Sequence, residues 1–419
     1  MEINRRTLLK GLAGAGTLAT SSALNMPYVR AQEPTIRIGY MTIRTGQMAA
    51  AGANYDQGLA TFLKQRGNKL GNRAVELFAV DTTNNPAIAL SKAQELTESR
   101  RVHAIIGPIS AFEALAISDY IKGAGTPMIT SAGSENLTQR DPNPWLVRPG
   151  SSCAQCSHPL GEFAYRELGF RRVSTIGEDN AYGYEQTAGF QRVFEELGGK
   201  IVQKQWAPTA VPDYATYIAS VNGEVDALMM SLAGPNGFRF LRQSQEYGLG
   251  SRTKFLGGYT AVDESFLRNM SDEALGATTA SFYSPAIDNE ENKRFVADMQ
   301  RDYQLDPGYY AAVAHLAAAT LENAVKALDG DIDDRKKLLA AMRNSAVNET
   351  IRGPLSFDDF GNAVGNIYIR RVDRVNGKLM NSIVKSYEDV GQFWTYPKDQ
   401  FLKNPVYSRD FPASKNIES

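Results

Sequence analysis

Residues 102–138 read VHAIIGPISAFEALAISDYIKGAGTPMITSAGSENLT. The apolar run 104–106 ends at Gly107-Pro108, a helical pattern covers 111–122, and Gly123-Ala124-Gly125 stops it. A second short run, 127–130, opens into Ser131-Ala132-Gly133-Ser134. Strand, loop, helix, strand and loop in that order predict two neighbouring parallel strands with a crossover helix. In open α/β sheets the C-terminal ends of parallel strands point their loops at a ligand crevice. Both loops carry small residues and hydroxyls, and a helix start with free N–H groups suits a carboxylate or carbonyl oxygen. The same Ser and Gly residues also suit plain turns, so this stretch alone leaves both readings open.

The same alternation extends in both directions. Strands are expected at 36–41, 74–80 and 145–148, with helices at 55–66 and 87–99. After the helix 153–168 the pattern restarts, with strands at 173–176, 201–206, 227–231, 255–257 and 277–282. Helices at 185–197, 214–221 and 238–247 lie between them, and 233–237 reads as a loop. Three helical stretches follow (291–303, 309–328, 334–343), then strands at 355–357, 367–372 and 383–387 and an aromatic tail. Repeated βα units argue for parallel sheets covered by helices. Two runs of them argue for two α/β lobes, and the late return to helices argues that the chain revisits the first.

The chain begins with Asn4-Arg5-Arg6-Thr7-Leu8-Leu9-Lys10, a weakly apolar run over 11–24 and the small-x-small site Val29-Arg30-Ala31. This is the pattern of a twin-arginine export signal over 1–31, which stands apart from the fold. Its apolar run is too short to span a membrane. Removing 1–31 takes four of the 45 basic residues and one of the 46 acidic ones, leaving a net charge near −4. That balance gives no electrostatic reason to bind nucleic acid or an anionic membrane. The remaining 388 residues are long for one core.

Ordered along the chain stand Ile36-Arg37-Ile38-Gly39, Thr45-Gly46, Asp81 with Asn84-Asn85-Pro86, and Ile105-Ile106-Gly107-Pro108. Pro127-Met128-Ile129-Thr130, Ala181-Tyr182-Gly183, Arg242-Gln243, and Gly353-Pro354-Leu355-Ser356-Phe357-Asp358 with Gly361 follow. In this order and spacing the chain resembles the type I periplasmic solute-binding proteins of ABC importers, specifically the branched-chain amino-acid-binding family. The resemblance implies an α/β fold of two Rossmann-like lobes, each with a central sheet, joined by three hinge crossings near Ser151, Tyr283 and Gly365. Lobe 1 is expected over 32–151 plus 283–365, lobe 2 over 152–282 plus 366–390, and a C-terminal tail over 391–419. The ligand is expected between the lobes, delivered to an ABC transporter permease, with no cofactor, in the periplasm.

The family's ligand positions carry over residue by residue. The adjacent pair after Gly107-Pro108 that approaches the ligand carboxylate reads Ser110 and Ala111 here, so a hydroxyl is lost at the second. Ala132 and Ser134 match the next loop, Tyr182 the tyrosine that closes over the ligand, and Tyr310 an aromatic wall position. Amino-acid binders place acids where Cys153 (or Ser152) and Tyr259 stand. Burying an ammonium without those partners costs several kcal/mol, so an acid lacking an amine is expected. Glu113 and Asp263 could supply another acid, but read as surface residues, as does the cluster Glu178, Asp179 and Glu185.

Among the three histidines, His103 and His315 read as structural, whereas His158 at the expected cleft mouth could donate to a ligand oxygen. No HExxH, G-x-S-x-G or P-loop pattern supports an enzyme or a metal site. Cys153 and Cys156, the only cysteines, stand about 5 Å apart if helical, within disulfide range. A disulfide, two free thiols and a redox pair all remain open. Phe112, Tyr182, Tyr259, Tyr283 and Tyr310, with Arg44 and Arg148, suit a planar anion. An aromatic carboxylate is the first expectation. A neutral amide or urea-like ligand is the alternative should Arg44 face solvent. An amino acid, or a sensing role toward a membrane receptor, are the others.

Overall fold

The apolar runs become strands shut off from solvent. Ile36, Ile38, Tyr40 and Met41 in Thr35–Thr42, and all of Ala104–Ile106, are buried, as parallel strands under helices must be. Ile38 lies opposite Leu77 of Arg73–Asp81 on one side and Ala104 on the other. Met128–Ile129 and Leu146–Val147 extend this ladder in parallel, and the antiparallel Lys69–Leu70 ends the six-stranded sheet. The structure is a computed structural model that describes residues 35–418. The export signal expected over 1–31 lies outside the described residues.

A second, nine-stranded sheet takes the rest of the strands. Lys200–Ala207, Arg172–Glu178, Ala227–Ser231, Lys254–Gly257 and Thr278–Ser281 run parallel. Ala363–Val375 then pairs antiparallel with Thr278–Ser281, Gly353–Phe357 and Lys378–Val390. The fold is thus mixed α/β with two sheets, the type I periplasmic binding protein arrangement expected from the sequence. Val347–Thr350 and Gly353–Phe357 pair in the second sheet, although the expected boundary put them with the first lobe. The chain therefore returns to the second sheet before Val347, not near Gly365, because the antiparallel hairpin starts the ladder early.

Helices of the late stretch pack back on the first sheet. Tyr309–Ala327 lies so close to Ala49–Gln65 that a Cβ on Gly58 would come within 2.1 Å of Ala311 O. Asn54 Oδ1 accepts from Ala311 N at 3.1 Å across the same contact. Three helix starts differ from expectation, among them Ala181–Glu196, which begins ahead of 185 because the Asn180 side chain caps it by accepting from Gly183 N. Ala49–Gln65 begins ahead of 55, because the Ala-rich run Ala49-Ala50-Ala51 is itself helical. Gly234–Glu246 begins ahead of 238, because Pro235 suits a first turn, and this places Asn236 on the helix.

A buried arginine sits at each passage between the sheets. Arg148 donates to Ala132 O at 3.1 Å, Ser134 O at 2.7 Å and Asn362 Oδ1 at 2.7 Å. Arg352 donates to Pro149 O at 2.9 Å and Asn366 O at 3.1 Å. Arg370 donates to Tyr283 O at 2.9 Å and Tyr259 O at 3.0 Å. A planar donor fork gathers carbonyls that the crossing strands leave unpaired.

Candidate ligand cleft

A cleft of about 690 Å³, including the solvent at its mouth, opens where strand ends of the two sheets meet. From the first sheet, the loop after Ala104–Ile106 supplies Ile109, Ser110, Ala111 and Phe112. From the second come Glu178 at the end of Arg172–Glu178, Tyr182, Pro235, Asn236 and Tyr259. Tyr309 and Tyr310 start the helix Tyr309–Ala327.

Aromatic rings make one wall. Tyr259 stacks on Tyr309 with centroids 4.7 Å apart at 23°, and Tyr182 meets Tyr259 edge-on at 5.5 Å. Hydrogen bonds fix the rings: Tyr309 Oη donates to Ser131 O at 2.8 Å, and Tyr182 Oη lies 2.7 Å from Thr260 Oγ1. Burial pushes the phenols of Tyr182, Tyr259 and Tyr310 well above the usual tyrosine range, so all three stay protonated. Asp263, in the second lobe, accepts from Tyr309 N at 2.6 Å and ties the two sides together.

The sequence-expected residues divide. Ser110, Ala111, Phe112, Tyr182, Tyr259 and Tyr310 line the cleft. Ala132 and Ser134 stand behind its wall, fully buried, and of the three residues 132–134 Gly133 alone lines the cleft. Their carbonyls accept from Arg148, and Ser134 Oγ donates to Glu185 Oε1 at 3.3 Å. A Cβ on Gly133 would lie 2.6 Å from Tyr259 Oη and 2.8 Å from Cys153 Sγ, so only glycine lets the lobes approach here.

Several expectations change. Arg44 has a side chain 48% exposed and bonds Asp56 at 3.1 Å, outside the cleft lining. Arg148 is held by carbonyls, and Tyr283 Oη donates to Asn292 Oδ1 at 2.8 Å away from the cleft. His158 is fully buried among Trp394, Tyr396 and Phe401 of the tail, with neither ring nitrogen bonded within the described residues. Burial pushes its pKa down to about 3, so it is neutral packing and no donor at the mouth. Cys153 and Cys156 are free thiols: Cys153 Sγ lies 3.5 Å from Tyr259 Oη and Cys156 Sγ 3.1 Å from Ser151 Oγ. Each thiol is packed against its own hydroxyl partner, and burial raises both pKa values, that of Cys156 to about 11. Glu113, Asp263, Glu178 and Glu185 are buried, not surface residues.

Glu178 is the acid that sequence reasoning missed. Its Oε1 accepts from Ala233 N at 3.0 Å and Asn236 Nδ2 at 2.7 Å, and its Oε2 from Asn180 Nδ2 at 2.9 Å. Its place at a parallel strand's C-terminal end was the available signal. Thr260, Asn236 and Tyr309 were missed as well, all in strand-end loops or first helical turns facing the crevice.

A family model described as a periplasmic binding protein matches residues 35–378. The Leu/Ile/Val-binding protein homolog 6 of Brucella abortus is 24% identical over 365 residues, 85% of this chain and 92% of that one. A solute-binding protein of an ABC transporter from Rhodopseudomonas palustris BisB5, in complex with 3,4-dihydroxybenzoic acid, is 30% identical with a TM-score of 0.81. The match covers 85% of this chain and 98% of that one. A second R. palustris solute-binding protein, in complex with 4-hydroxybenzoate, is 25% identical with a TM-score of 0.80, over 86% and 98% of the two chains.

Proposed function

The chain belongs to the periplasmic binding protein family, and on that premise we propose that it delivers a small organic acid, an aromatic carboxylate lacking an amine, to an ABC importer. The observation that carries this reading is the tyrosine wall. Tyr182, Tyr259 and Tyr309 offer flat faces to a planar ring. They share the cleft with Ser110, Ala111 and Phe112 at the start of the helix Ala111–Ala124, whose amides suit a carboxylate. The aromatic acids in the two R. palustris complexes support the same class. The reading includes an export signal over 1–31 and a permease as partner, with the protein acting as a carrier and not as an enzyme.

The amine is disfavoured because Cys153 (or Ser152) and Tyr259 occupy the two positions where the family resemblance places acids. Glu178 is a carboxylate on the wall, but three protein donors already engage it. A neutral amide is the second reading, and the half-exposed Arg44 favours it, since among the described residues no Arg, Lys or His lines the cleft. Calorimetry on matched pairs decides among them. Benzoate should bind more tightly than benzamide, and 3-phenylpropanoate more tightly than phenylalanine by roughly tenfold or more. Preference for benzamide would establish the neutral reading. Preference for phenylalanine would make Glu178 an ammonium site.

A further inference from the structure

The second-lobe wall carries one acceptor that no described residue satisfies. Asn236 is 2% exposed and lies in the first turn of Gly234–Glu246. Its Nδ2 donates to Glu178 Oε1 at 2.7 Å and to Thr209 O at 2.9 Å. Both partners only accept, so turning the amide over would set its oxygen against two oxygens. Its Oδ1 is thereby fixed, and among the described residues it accepts no hydrogen bond. A buried acceptor in that state is destabilising until a donor reaches it.

The same wall repels a carboxylate. Glu178 already accepts from Ala233 N, the amide at the head of Gly234–Glu246, and a second carboxylate beside it would meet like charge. The opposite wall has no such occupant. Ser110 makes no side-chain cap on Ala111–Ala124, because its hydroxyl donates to Asn84 Oδ1 instead. An acid therefore turns its carboxylate to the first lobe and its far end to Asn236.

We infer that Asn236 reads a hydrogen-bond donor at the end of the ligand opposite its carboxylate, a phenolic hydroxyl, so that the cleft prefers hydroxylated aromatic acids to bare ones. This rests on the aromatic-carboxylate reading above. Among ligands of one ring size, only those that can donate satisfy Oδ1.

The test is calorimetry on the full chain with 4-hydroxybenzoate, benzoate and 4-fluorobenzoate, the last keeping most of the bulk without a donor. The hydroxy acid should bind about tenfold or more tightly than either of the others. Asn236→Leu should abolish that preference, read as the ratio of the hydroxy acid's affinity to benzoate's within the variant. Equal binding of the three acids by the wild type would overturn the assignment of Asn236 and leave the carboxylate reading standing. A preference that survives in Asn236→Leu would overturn it too. Binding of none of the three would overturn both. The wild-type comparison decides the matter even if the variant fails to fold.

Discussion

Glu185 carries the clearest consequence at the scale of one residue. Its Oε2 accepts from Glu135 N at 3.0 Å, so a second-lobe helix meets a first-lobe loop through a carboxyl group. Burial raises its pKa from 4.5 to about 8, and the neighbouring Glu135 carboxylate pushes the same way. Burial also raises Glu113 and Glu264 to about 7. For an acid whose folded pKa is raised, the stabilisation is complete below the unfolded pKa and is lost as pH climbs through the folded value. Stability should therefore decline from about pH 4.5 towards pH 8. His158 and His315 set the other limit: both are held near 3 by burial, so stability present above about 6.5 is lost as pH falls towards 3. Thermal midpoints measured from about pH 6.5 to 8, above the histidine window, should fall, and Glu185→Gln should flatten the slope, at about 1 kcal/mol for one lost acceptor. Parallel curves for the two proteins would remove Glu185 as the cause.

At the scale of elements, the tail is the part the strand and helix patterns said least about. Residues 391–418 run over both lobes. Arg140, from a first-sheet loop, donates to Asn404 O at 2.6 Å and Phe401 O at 3.1 Å. Arg192, on the second-lobe helix Ala181–Glu196, lies 3.6 Å over the Tyr396 ring. Phe401 and Tyr407 are buried against Ala154 and Ala188. Each such side chain contributes about 1.5–3 kcal/mol, and removing the tail would also wet His158. A chain ending at Val390 should melt well below the full-length protein in scanning calorimetry. Among the described residues no tail residue lines the cleft, so the truncated protein should keep its ligand affinity at any temperature where it folds. An unchanged melting temperature would show that the strap contributes nothing.

For the whole molecule, several contacts across the cleft tie the two lobes together. The Tyr259–Tyr309 stack, the Asp263–Tyr309 bond and the Glu185–Ser134 bond all join the two lobes. A ligand gripped by both sides shifts the population towards closure by its differential affinity for the closed form. Small-angle scattering should give a smaller radius of gyration at saturating ligand than without it. Equal radii would mean that binding does not move the lobes.

What the sequence determined by itself was whatever depends on local order. Runs such as 104–106 and 111–122 announce strand and helix through spacing of apolar residues, and their succession fixes parallel sheets with crevice loops at the strand ends. Ser110, Ala111 and Phe112 stand in such a loop or at the helix start after it, whereas Tyr182 and Tyr310 were expected at the cleft from the family resemblance. What only the tertiary structure decided was the fate of polar groups. Glu178 looks solvated in sequence, yet two of its three partners lie at 233 and 236, more than fifty positions away. Arg44 looks like a ligand clamp, yet Asp56 holds it at the surface. His158 faces a tail more than two hundred residues further on. Burial and pairing of a charge depend on the sum of distant contacts and not on neighbours in the chain. For that reason the fold could be read from sequence, and the wall of the cleft only in part.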